Sequence, residues 1–163
     1  MKSAIAVEAK AEIEQFPEMI HLLFSETAID WHSNNMFIYL QREEALLAKE
    51  ILHTTDLFEH LHLAQIVSEG TKGPYFEDYA IQLDSDTYCI LTDDLVSFYI
   101  TGKNKNELLM AKYQFEEHLV LATSENDKNI FFIELHNKEL MQNIAKAYNI
   151  NIFFTLDKRE KKI

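Results

Sequence analysis

Two places in the chain hold chemically capable residues at usable spacings. The first is "YITGKNKNELL", Tyr99 to Leu109, where Gly102 is the only glycine in the second half of the sequence. It stands between an apolar, strand-like run and a helix-like run. Small residues at such a hand-over let backbone amides approach an anion, and the helix dipole reinforces them. Lys103 and Lys105 could supply further charge, and Asn104 and Asn106 tolerate unusual backbone angles. Glu107, in the first helical turn, opposes the same phosphates. The plainer reading is that Gly102 ends a strand and lets the chain turn.

The second place is His53, Asp56 and His60, at i, i+3 and i+7, with His62 just off that set. On an unbroken helix the three share one face and could hold a divalent metal. The stretch "HTTD" invites a helix break and no cysteine supports a structural site, so no metal centre is expected. Cys89, the sole cysteine, lies in an apolar run beside Ile90 and reads as a buried small hydrophobe, not a nucleophile. No local Ser-His-Asp or Cys-His signature occurs. The acidic pairs Glu43 and Glu44, Asp84 and Asp86, and Asp93 and Asp94 suit solvated turns, or a surface facing a basic partner.

These residues must be positioned by a chain of 163 residues, 47% hydrophobic and 12% aromatic, which suits one domain with a sizeable core. Three glycines and two prolines leave nothing resembling a linker. A formal charge of −12 argues against phosphate-rich nucleic acid or an anionic membrane as partner. The basic stretch Lys158, Arg159, Lys161 and Lys162 reads as a solvated tail. No intrachain disulfide is possible, and no run has the length and apolarity of a signal peptide or membrane span. A cytoplasmic setting is expected, in a bacterial or a host cell.

Apolar spacing divides the chain near residue 70. Residues 3 to 15 predict a helix, Pro17 opens another, "MFIYL" (Met36 to Leu40) is a short strand, and Arg42 onward is helical. Thr55 or Asp56 caps a further helix to Val67, and Gly70, Gly73 and Pro74 end this helical half. Three strands then predict an antiparallel meander, at Tyr79 to Leu83, Thr87 to Leu91 and Leu95 to Thr101. A long helix follows from Asn104 or Asn106 to Ala122, then the strand "NIFFIEL", the helix "NKELMQNIAKAY" and the strand "INIFFTL". A helical half, a meander and then β-α-β-α-β indicate an α/β (α+β) fold with a mixed sheet. No internal sequence repeat is visible.

That order resembles the GNAT (GCN5-related N-acetyltransferase) fold, in the degenerate form that phages carry. The segment "FFIELHNKELMQNIAKAYNINIFFTL" resembles the family's strand, a helix ending Ala-x-x-x-Tyr, and then Gly-Phe, with Ile152 replacing the glycine and Phe153 the phenylalanine. The resemblance implies that Tyr148 stands where the family keeps a general-acid tyrosine. It also implies that Gly102, Lys103, Asn104 and Lys105 occupy the turn that holds the pyrophosphate of acetyl-coenzyme A. The family's turn carries a second small residue that "TGKNKNE" lacks. The expected function is therefore a non-catalytic or degenerate GNAT-like protein that binds another protein, as a phage accessory or a virion component, without a cofactor. The alternatives are an active acetyl-coenzyme A-dependent N-acyltransferase and an acidic inhibitor or immunity protein against a basic enzyme.

Overall fold

The computed structural model describes residues 1–155, and the basic stretch from Lys158 to Lys162 lies outside them. The first part runs β1 (Lys2–Ala9), α1 (Pro17–Glu26), β2 (Trp31–Ser33), β3 (Met36–Tyr39), α2 (Arg42–Thr54) and β4 (Phe58–Ser68). A connecting part holds β5 (Thr71–Lys72), α3 (Phe76–Tyr79), β6 (Ala80–Gln82) and β7 (Thr87–Leu91). The last part runs β8 (Leu95–Thr101), α4 (Lys105–Glu116), β9 (Leu119–Glu125), β10 (Lys128–Glu134), α5 (Lys138–Ala147) and β11 (Asn151–Phe154).

The strands form two sheets, in the orders β2-β3-β1-β4-β7-β6 and β11-β8-β10-β9-β5. The fold is thus mixed α+β, as expected. The first and last parts each run β-α-β-β-α-β. If each part's strands are numbered one to four, both sheets contain the order 4-1-3-2, the split β-α-β arrangement. The chain holds the same topology twice without a sequence repeat to announce it. A two-strand piece extends the first sheet, and β5 extends the second.

Several expectations are corrected. The first 70 residues are not a helical half, because residues 3 to 9 lie in β1 and Phe58–Ser68 is β4. In β1, Ile5, Val7 and Ala9 face the helices while Ala4 and Ala6 face the other way, and all five are buried. A strand apolar on both faces and rich in alanine shows no period of two. Pairing with β3 and β4 then overrides its helix-favouring composition. Before β4, helix α2 ends at Thr54, and Asp56 takes a φ of 57° that a right-handed helix does not accept.

The long helix also ends sooner than Ala122. Leu119 to Ala122 belong to β9, which turns into β10 through Asn126 and Asp127, both at positive φ (51° and 61°), as a tight hairpin demands. With β9 in place, β8 and β10 run antiparallel, so the expected mixed sheet is wholly antiparallel among the described residues. The meander is interrupted too, because β6 and β7 pair in the first sheet while β8 crosses to the second.

Three cores result. Helices α1 and α2 cover one face of the first sheet around Ile5, Val7, Phe37, Tyr39 and Leu52. Beyond them that face meets the second sheet, where Val67, Tyr88 and Ile90 pack with Leu95, Val120, Ile130 and Phe132. Helices α4 and α5 cover the second sheet's far face. There Phe98 stacks on Phe131 at 5.3 Å and meets Phe115 edge-on at 5.1 Å.

Candidate functional site

The remaining face of the first sheet carries no helix among the described residues, yet its centre is buried. Ala4, Ala6, Ile38, Ala64, Ile66 and Cys89 form its floor, closed in by Trp31 and Met36 from one side and Ile81 and Leu91 from the other. Small residues in the middle and large ones at the margins let the sheet curl over its own face. Cys89 sits there, and burial pushes its thiol up to about 12. As expected, it is a small hydrophobe; thiol chemistry needs the thiolate.

At one end of the curled face the apolar floor gives way to a histidine between carboxylates. Strand alternation places His60 and His62 on the same side of β4, and the register sets His62 opposite Ala6 and His60 opposite Glu8. Nε2 of His62 lies 2.8 Å from Oε2 of Glu8, and Nδ1 lies 3.1 Å from Oδ2 of Asp93. The ring of His60 stands 4.5 Å from that of His62, centre to centre. Asp93 follows β7, where Thr92 N donates to Leu63 O at 2.8 Å and Leu63 N donates to Asp93 Oδ1 at 3.3 Å. That carboxylate is therefore fixed by the backbone on one oxygen and turned toward His62 on the other. On the opposite side, a bulge between Glu8 and Ala9 ends the regular ladder beside Glu8.

A neutral imidazole has one donor and one acceptor, so His62 donates to both carboxylates only as the imidazolium. The same face could instead hold a cation. His60, His62 and Asp93 each bring a donor atom within 4.8 Å of the others. The set suggested by helical spacing does not assemble, because β4 replaces the helix. His53 turns instead to the ring of Phe58 at 4.6 Å, and Asp56 pairs with Lys10 Nζ at 3.2 Å.

The turn at Gly102 joins β8 to α4. A cleft of about 510 Å³ there is lined by Gly102, Lys103, Glu107, Asn149 and Asn151. Gly102 and Lys103 therefore share one cleft with the residues just after Tyr148. The glycine's φ is not positive. A Cβ at Gly102 would stand 3.0 Å from Ile150 Cγ2 and 3.3 Å from Leu108 Cδ2, so its smallness serves close packing.

Asn104 is the N-cap of α4, its Oδ1 accepting from Asn106 N at 2.9 Å and from Glu107 N at 3.4 Å. Lys105 is exposed in the first helical turn. Tyr148 closes α5, its amide donating to Ile144 O at 3.1 Å, and its half-buried ring packs against the core beneath α4 and α5. Tyr79, by contrast, has an ionisable hydrogen-bond partner. Its hydroxyl donates to Glu134 Oε1 at 2.7 Å and is pushed up to about 12 by that bond.

Compared with protein-family models and with curated proteins, the chain matches none. No helix among the described residues is long and apolar enough to cross a membrane. Sequence reasoning missed the Glu8, His62 and Asp93 grouping, because only the sheet brings β1, β4 and the end of β7 together. One signal was available: in "FEHLHLAQ" histidine and leucine alternate with the period of a strand.

Proposed function

We propose that this protein acts by binding a protein partner, and not by acyl transfer. The observation that carries this is the outer face of α4, where Leu109, Met110 and Tyr113 are neighbours at helical spacing, 48%, 48% and 53% exposed. The helix does not need them for its own packing, since Ala111 and Phe115 already bury its inner side. Adjacent large apolar side chains left in water mark an interaction surface. Glu107, Glu116 and Glu117 outnumber Lys105 and Lys112 along this helix and at its end, and the chain carries −12 overall. The partner is therefore a protein with an apolar patch rimmed by lysine and arginine. A second copy of this chain is disfavoured because two strongly acidic bodies repel.

The Asn104 cap supports the non-catalytic half of the reading. The Asn106 and Glu107 amides that a pyrophosphate would need already donate to that side chain, so an anion would have to displace it. Within a GNAT-like ancestry this is the degenerate form. Its central strands also lack the parallel pair between which coenzyme A enters in that family, every ladder among the described residues being antiparallel.

The test compares tagged wild type with the L109S/M110S/Y113S variant in extracts of the source cell. Wild type is expected to retain a basic protein at low salt, and both the variant and high salt to release it. Equal recovery by a variant of wild-type circular dichroism and Tm would defeat the proposal. So would stabilisation of the wild type by millimolar acetyl-coenzyme A, since a ligand bound only to the native state raises Tm.

A further inference from the structure

We infer that His60, His62 and Asp93 form a binding site for zinc or a similar late first-row divalent ion, oriented by Glu8. The site is independent of the α4 surface. Two imidazoles with one carboxylate suit zinc, copper, nickel or iron(II), whereas magnesium and calcium take oxygen donors. Three protein ligands leave a fourth tetrahedral position for water or a ligand oxygen.

One edge of the site already has the spacing that assignment requires. Two donors each about 2.0–2.1 Å from a tetrahedral zinc lie about 3.3 Å apart. His62 Nδ1 and Asp93 Oδ2 are 3.1 Å apart, close to that edge. All three donor atoms are within 4.8 Å of one another. His60 is exposed, so its ring is free to swing in to complete the set.

The outer shell is also in place. A ligating histidine usually donates its other ring N–H to a carboxylate, which fixes the tautomer and the ring. His62 Nε2 has such a partner in Glu8 Oε2 at 2.8 Å. Asp93 Oδ1 accepts from the Leu63 amide, which leaves Oδ2 aimed at the shared space. With the side chains of His62, Glu8 and Asp93 only 18%, 30% and 33% exposed, these groups are held by the sheet and not by solvent.

The probe is Co2+ alone, titrated into the full chain and followed by its visible absorption, with Zn2+ as competitor. Wild type is expected to give a one-to-one tetrahedral spectrum that Zn2+ abolishes. H60A and D93A should bind at least tenfold more weakly, E8Q about 10–100-fold more weakly, and H53A like wild type. Because H62A removes a part-buried group and is at risk of misfolding, exposed His60 supplies the decisive variant. Absence of a one-to-one spectrum overturns the inference. So does H60A or D93A binding like wild type, which would mean an adventitious surface site, and so does an unchanged E8Q for the orienting role.

Discussion

Removing the side chain of Asn104 tests whether the β8–α4 turn serves the helix or a ligand. In N104A, the amides of Asn106 and Glu107 lose the one oxygen that accepts from both, at 2.9 Å and 3.4 Å. Loss of such an N-cap costs about 1 kcal/mol, and replacement by glycine only a few tenths. At about 2.1 cal/mol/K per residue, the 163 residues carry an unfolding entropy of about 340 cal/mol/K. N104A should therefore melt about 3 °C below wild type, N104G within about 1 °C, and N104D close to wild type. Calorimetry at constant pH reads all three. Thermal scans with millimolar pyrophosphate supply the second readout. The freed amides of N104A should gain some stabilisation from the anion, and wild type none. An N104A melting with wild type would refute the cap, and a wild type already stabilised by pyrophosphate would refute the idea that the cap excludes it.

The other predictions concern the core and its one thiol. Phe98 is fully buried against Phe115, Phe131 and Phe154, so F98A should lose about 3–5 kcal/mol in urea unfolding, and F98L clearly less. G73A would place a Cβ 2.1 Å from Leu119 O and 2.4 Å from Leu119 C, a clash with backbone that no rotamer relieves; a loss of about 3 kcal/mol is expected, and a neutral result would displace β5 from its place beside β9. Cys89 should react with a thiol reagent only as fast as the protein opens, which stopped-flow mixing with and without denaturant measures. Burial raises its folded pKa from 9.0 to about 12, so the folded state holds the proton more tightly. That contribution to stability is whole below pH 9 and is lost as pH rises from 9 toward 12.

Elements with a clear apolar period on one face were legible in the sequence. The helices at Pro17, Arg42 and Lys138 and the strands at Met36, Thr87 and Leu95 fall where spacing and breakers put them. Illegible elements are those whose environment differs from their composition. β1 is buried on both faces by alanine as much as by isoleucine, and β4 alternates histidine with leucine after a helix-like start. β9 follows α4 with only two residues between them. The composition of each predicts helix, because alanine, leucine and glutamate favour helix locally, and only cross-strand pairing reverses that preference.

The sequence by itself determined the α+β class, the acidic charge, the inertness of Cys89 and the cap at Asn104, since each follows from composition or from residues a few positions apart. Tertiary structure decided that both sheets are antiparallel, that one topology occurs twice, and that Glu8, His62 and Asp93 meet. The physical reason is the same throughout. Hydrogen bonds within a helix join near neighbours, whereas a sheet joins residues such as Glu8 and His62 across 54 positions, and no local pattern records which strands will pair.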